Sequence, residues 1–164
     1  MSAETNPDSG EAGHHEARMV HVGDKDITKR RAIAEAVLEC APETARLVAN
    51  AALPKGDALA AARIAGVMAT KRTPDLVPLC HPISVTAAEV ELVVDEASVR
   101  IVATVECMDR TGAEMEALTA ASVAALTIYD MAKGVDRGMQ VGRLRLLEKS
   151  GGRSGTWTAP GDGA

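Results

Sequence analysis

Asp130 lies near the C-terminal end of an apolar helical segment, where a carboxylate opposes the helix dipole and needs a compensating charge. Lys133 follows three positions later on the same helical face and can supply it. Two roles fit this pair: a structural ion pair, or an acid and a base held together to move protons. At the start of the same segment Glu114 and Glu116 flank Met115, in a first turn where negative charge is favourable. Two residues apart on a helix they point about 200° from each other, so they cannot form one dyad, although each could act alone.

Cys80 and His81 sit between Pro78 and Pro82. Adjacent residues seldom face one substrate atom, and no third partner is placed by the sequence, so neither a nucleophile nor a metal site is indicated. The prolines hold the dipeptide stiffly, which leaves a structural histidine or a preorganised donor to a ligand as the two readings of His81. Further on, Lys149-Ser150-Gly151-Gly152-Arg153-Ser154-Gly155 combines backbone amides with two cations, a composition suited to phosphate or equally to a flexible loop. It fails the GxxxxGK[ST] template. Lys55-Gly56-Asp57, ahead of a helix start, is a second place where an anion could dock.

These residues have to be carried by definable elements. Arg30 to Cys40 is two-sided in its pattern: Ala32, Ala34, Ala36, Leu38 and Cys40 alternate, while Ile33 and Val37 lie four apart, so strand and helix both fit. Pro42 opens a short helix to about Asn50. Asp57 can cap a helix running to about Arg72, with a small-residue stripe of Ala58, Ala62, Ala65 and Ala69, and Thr73-Pro74 stops it. Val77 to Pro82 is a stiff loop. Alternation predicts strands around Val90 to Val94 and Val99 to Cys107, with a hairpin turn between. Glu114 to Lys133 is the strongest helix, apolar almost all round and therefore expected to be buried. A last strand spans about Met139 to Leu147, before the glycine loop. With the ambiguous segment as a strand, the order is βαββαβ, an α+β ferredoxin-like pattern with an antiparallel sheet and helices on one face.

The chain has 164 residues, 46% hydrophobic and 25% charged, which suits one globular domain. We expect it to span residues 19–157, between a disordered tail at 1–18, with His14 and His15 solvated in it, and a flexible tail at 158–164. Tyr129 and Trp157 are the only aromatic residues, so the core must be aliphatic and rich in Ala, and part of its burial is expected from a partner subunit. A net charge of -5 gives no global attraction for nucleic acid, so an anion site has to be local. Cys40, Cys80 and Cys107 are widely spaced without a CxxC pair, which argues against disulfides or a zinc knuckle and suits a reducing cytoplasm. The sequence shows neither a membrane span nor a signal peptide.

Several blocks together carry a resemblance: Lys55-Gly56-Asp57, Ala62 to Gly66, Lys71-Arg72-Thr73, Leu79-Cys80-His81-Pro82, Thr111 to Ala120, Ile128-Tyr129-Asp130-Met131 and Lys149 to Gly152. In order and spacing, from about Met19 to Trp157, the chain resembles the cyclic pyranopterin monophosphate synthase family of molybdenum cofactor biosynthesis. The resemblance implies a ferredoxin-like subunit in a homohexamer built as a trimer of dimers, with sites at subunit interfaces. It implies a lyase that converts (8S)-3',8-cyclo-7,8-dihydroguanosine 5'-triphosphate to cyclic pyranopterin monophosphate and releases pyrophosphate. Asp130, Lys133 and Lys55 match the catalytic positions. Leu79, Cys80, His81, Met115 and Glu116 match substrate-binding stretches, and Arg30, Arg63 and Lys149 match further polar positions. No redox cofactor is implied and no protein metal site, while Mg²⁺ can accompany the triphosphate. Burial could tune the Asp130 and Lys133 pKa values toward neutrality. One departure is visible: His21 stands where the family more often has Asp. A ferredoxin-like ligand-binding regulator without a catalytic step is the competing reading, and an RNA-recognition module is disfavoured because the sheet has no aromatics to stack bases.

Overall fold

A computed structural model describes residues 17–161. The two-sided segment is a strand, β1 (Thr28–Glu39), with Ala32, Ala34, Ala36 and Leu38 fully buried on one face. Its other face carries partly buried Ile33 and Val37 around a buried Glu35, so both faces are apolar enough to blur the alternation. Two helices follow, α1 (Pro42–Ala49) and α2 (Ala58–Thr70), and the Asp57 side chain caps the second by accepting from the Ala60 amide at 2.9 Å. α2 ends ahead of Thr73-Pro74, as expected, and after the turn at Lys71-Arg72 these two residues open one separate helical turn, α3 (Thr73–Leu76), because proline suits a first helical position. Then come β2 (Val85–Val94), β3 (Ser98–Asp109), α4 (Glu114–Ala132), β4 (Gln140–Ser150) and a short β5 (Trp157–Thr158).

The sheet order is β2-β3-β1-β4-β5, and every neighbouring pair is antiparallel. The first four strands have the ferredoxin-like arrangement, and α2 and α4 pack together over one face. α2 is pressed between α4 and β2 at Gly66, where an added Cβ would lie 2.9 Å from Val90 Cγ2 and 3.0 Å from the Ala120 carbonyl oxygen. The close-packing stripe is therefore Ala58, Ala62, Gly66 and Ala69, with Ala65 beside it rather than in it.

Three expectations need correction. β4 runs on to Ser150, because Lys149 pairs with Ala32 and Ser150 with Arg31, so Lys149 stands on a strand and the loop begins only at Gly151. The C-terminal tail does not begin at Thr158: Thr158 pairs with Glu148, and the Ala159 amide donates to the Leu147 carbonyl at 2.8 Å. Residues 162–164 and most of the expected N-terminal tail, 1–16 with its two histidines, lie outside the described residues. Lastly, α4 is buried on one side only. Ala117, Ala120, Ala121, Ala124, Ala125 and Ile128 are buried, but Leu126 is 56% exposed, since the other described elements of the chain cover only part of its circumference.

Glu35 lies on the sheet face that carries no helix, and it is only 2% exposed. Its two oxygens accept from Arg145 Nε at 2.7 Å and Arg100 Nε at 2.8 Å, joining β1 to both of its neighbours. Burial alone would raise its pKa, but the bonds from Arg145 and Arg100 outweigh this and leave the carboxyl below its ordinary value. A depressed folded-state pKa gives stability that is present above the unfolded value and lost as pH falls through the folded one. Glu35→Ala should lower unfolding free energy by roughly 3 kcal/mol at pH 7, the low end for a broken buried pair because both arginines reach solvent. Chemical denaturation at pH 7 and below about pH 4 checks this, and the variant should show the flatter dependence on acid.

Candidate active site

Lys55 lies in the tight turn before α2, where Gly56 adopts φ +94°. Because α2 runs antiparallel to α4, that turn meets the C-terminal end of α4. Lys55 Nζ donates to Asp130 Oδ2 at 2.6 Å and to the Asp130 carbonyl at 3.2 Å. Lys133, one turn on, places Nζ 2.7 Å from Asp130 Oδ1. One carboxylate thus bridges two ammonium groups, and the charge opposing the helix dipole is doubly compensated. All three side chains are about half exposed on the subunit. Bonds from Lys133 and then Lys55 pull the Asp130 pKa down to about 2, and the bond to Asp130 raises that of Lys133. The pair is therefore not buried, and its pKa values are driven apart rather than toward neutrality.

A second set of side chains gathers at the other end of α4. Arg30, at the start of β1, donates from Nε and Nη2 to the Asp109 and Arg110 carbonyls at 3.0 and 3.1 Å. Arg30 lies against Gly151 and Gly152, whose φ values are +99° and +71°; a Cβ at Gly152 would collide with its guanidinium, and one at Gly151 with the Lys29 carbonyl. Lys149 Nζ reaches Glu114 Oε1 at 3.2 Å. Glu116 points the other way, as the helical spacing requires, and is 1% exposed. The Cys80 thiol contacts its Oε1 at 3.8 Å, while Oε2 is buried with no hydrogen-bond partner among the described residues. Burial raises the Glu116 pKa to about 7. Burial also raises the Cys80 pKa, with Glu116 adding to it, so this thiol is not set up as a thiolate nucleophile. His81 and Leu79 come from the proline-bounded loop beside Cys80, and Met115 is on the exposed side of α4.

A family model described as the MoaC family matches residues 19–152. The chain belongs to the MoaC family. It is 55% identical over 151 residues to the cyclic pyranopterin monophosphate synthase of Chloroflexus aurantiacus, covering 91% of each chain. It is 51% identical over 154 residues to cyclic pyranopterin monophosphate synthase 2 of Mycobacterium tuberculosis, covering 92% of each. With the enzyme of that name from Roseiflexus castenholzii it shares 57% over 141 residues, 85% of this chain and 89% of the relative.

Against the positions that match this MoaC-family pattern, the structure brings together two groups and leaves one residue apart. Lys55, Asp130 and Lys133 meet at one end of α4; Cys80, Glu116, Arg30 and Lys149 gather at the other. Glu114 and Asp130 are sixteen residues apart on α4, which sets the two groups roughly 24 Å from each other in one subunit. Arg63 joins neither: it is exposed on α2 and donates to the Val90 carbonyl at 3.3 Å, over the edge strand β2. His21 lies on an exposed turn with Nε2 3.4 Å from Asp24. Lys25 and Arg110 line the pocket beside Arg30 and Lys149, and sequence reading missed both. Arg110 was legible only as a turn residue between β3 and α4, and Lys25 stands alone in a segment without period.

Proposed function

We propose that the chain converts (8S)-3',8-cyclo-7,8-dihydroguanosine 5'-triphosphate to cyclic pyranopterin monophosphate and releases pyrophosphate, in the cytoplasm. The observation that carries this reading is the bridge of Lys55 and Lys133 across Asp130, at the positions the family resemblance marks as catalytic. Rearranging the ring system needs protons to be added and removed at several atoms, and this cluster offers two protonated amines and one carboxylate within hydrogen-bond reach of a common point. Substrate that exchanges with one of these bonds would meet an acid and a base already oriented.

The second group supports the other half of the task. Lys149, Arg30 and the glycine loop offer positive charge to a triphosphate in an otherwise acidic protein, and Glu116, His81, Leu79, Cys80 and Met115, at the positions that match substrate-binding stretches, are assigned to the purine-derived ring. Mg²⁺ would arrive on the triphosphate oxygens. Two groups roughly 24 Å apart cannot serve one small molecule within one subunit, so the working site combines the α4 C-terminal end of one subunit with the α4 N-terminal end of another. Exposed Leu126, Met68, Ile64 and Leu76 on the helical layer fit a homo-oligomer, and we propose the homohexamer, a trimer of dimers.

The direct test is to incubate the purified protein with the cyclic dihydroguanosine triphosphate and measure pyrophosphate and pterin. Stoichiometric release of both is expected; binding without release would favour a regulator instead. Lys149→Ala should raise KM more than it lowers kcat, because a phosphate contact is made in the ground state and in the transition state alike. Initial-rate kinetics across a wide substrate range check this, and a collapse of kcat at saturation would place Lys149 in the chemistry.

A further inference from the structure

Asp136 lies three residues beyond Lys133, in the link between α4 and β4, and both of its carboxylate oxygens are engaged. Oδ2 accepts from the Ala41 amide at 2.9 Å and from the Thr44 hydroxyl at 3.1 Å, and Oδ1 accepts from the Gly138 amide at 2.9 Å. Ala41 is the N-cap of α1 and makes no side-chain cap of its own. An acid 95 residues further on therefore does what a glutamate in the first turn does in a capping box. The bonds from Ala41 and Gly138 hold the Asp136 pKa below the ordinary carboxylate value, so this clamp is charged at neutral pH. Its own backbone is fixed as well, since the Val135 and Asp136 amides both donate to the carbonyl of buried Ala132, at 2.9 and 3.0 Å.

The chain from Ala41 to Lys55 is thus fastened to the end of α4 twice, by Asp136 at the start of α1 and by Asp130 at the Lys55 ammonium. Between the two ties α1 is a rod of roughly 12 Å, seated on its buried Ala45 and Val48. It continues into the Lys55 turn through bonds from the Ala52 amide to the Leu47 carbonyl and from the Gly56 amide to the Leu53 carbonyl, each 2.9 Å. The two ties differ in kind. The bond between Lys55 and Asp130 is half exposed and is one that substrate has to displace, whereas the Asp136 tie includes Thr44, which is 3% exposed, and no member of the bridge. Closing the chain at one point leaves less conformational entropy to lose at the other.

We propose that Asp136 is a positioning residue for the reaction: it holds α1, and through it Lys55, against the end of α4, so that Lys55 and Lys133 keep their spacing while substrate exchanges with their bonds to Asp130. The reaction concerned is the one given by the proposed function, on which this inference rests; the clamp itself belongs to the free chain.

Two measurements on the full chain test it. In hydrogen exchange without substrate, Asp136→Ala should speed exchange about tenfold both in residues 41–45 and at the Ala52 and Gly56 amides, beyond the far end of α1. In steady-state kinetics the same variant should lose about 10- to 100-fold in kcat, the scale for reacting groups displaced by about 1 Å, with KM within about twofold of parental because phosphate binding is assigned to the other group of residues. Asp136→Asn keeps one acceptor for Ala41 and Thr44 but turns a donor toward the Gly138 amide, so its kcat should fall between the two. Thr44→Val should lower kcat about threefold, the scale of one neutral hydrogen bond, and should have no further effect in the Asp136→Ala background. These milder variants carry the test if Asp136→Ala does not fold. A local structural role predicts a lower melting temperature, faster exchange confined to residues 41–45 and 133–138, and parental kcat; that pattern, or a rise in KM alone, would overturn the proposal. If exchange quickens at Ala52 and Gly56 but the parent protein makes no pterin, the reaction is wrong and the clamp stands. If the parent makes pterin and Asp136→Ala makes it at the parental rate, the positioning role falls and the reaction stands.

Discussion

Asp130→Asn should lower turnover by about 10² to 10⁴-fold, the range for losing a positioned acid or base, while the protein stays folded and binds substrate. The substitution keeps the shape of the side chain and one acceptor oxygen, but it removes the charge that Lys55 and Lys133 share. Bonds from Lys133 and Lys55 hold its pKa down to about 2, so the parental carboxylate is anionic at neutral pH and keeps two ammonium donors in place; it becomes a useful proton acceptor only where substrate displaces those bonds. A merely structural ion pair predicts a different pattern. The three side chains are about half exposed, and pairs of this kind add little to stability, so a structural role would leave turnover close to parental. Steady-state kinetics, a binding titration and a thermal melt on the same preparation separate the two. Parental turnover with intact binding would remove Asp130 from the mechanism.

The sequence shows this site in pieces because its contacts are long-range. Asp130 and Lys133 are three apart on one helix, so periodicity alone pairs them. Lys55 comes from 75 residues away, and only the antiparallel passage of α2 along α4 brings its amine to the second carboxylate oxygen. The same holds for Glu35. Its arginines come from β3 and β4, 65 and 110 residues on, so nothing within β1 itself marks Glu35 as a paired carboxylate. The opposite directions of Glu114 and Glu116 follow from helical geometry, but their contacts with Lys149 and Cys80 do not, because they depend on where β4 and the proline loop pass α4. The βαββαβ order was legible once β1 was taken as a strand. The end of β4 was not, since the pairing of Lys149 with Ala32 outweighs the loop-like composition that follows it. Burial of α4 was overestimated for a physical reason as well: an apolar surface reads the same whether its own chain or another subunit covers it.

The claim that depends most on this geometry is that one reaction uses the two ends of α4 from different subunits. Subunit mixing addresses it with a large change in signal. An Asp130→Asn chain lacks one half of the site, and a His81→Ala, Lys149→Ala chain lacks the other, so at low substrate each homo-oligomer should be nearly inactive. Co-expressed in equal amounts and purified as a mixed oligomer, they should form sites in which both halves are intact. With random assembly, the intact half is supplied at each end half of the time, which predicts about a quarter of the parental kcat/KM. Sedimentation of the same sample at micromolar concentration should show a species near six subunits. Measuring kcat/KM of the mixed oligomer is the decisive experiment: recovery to about a quarter of the parental value supports a site shared between subunits, and activity no higher than that of the two separate variants contradicts it.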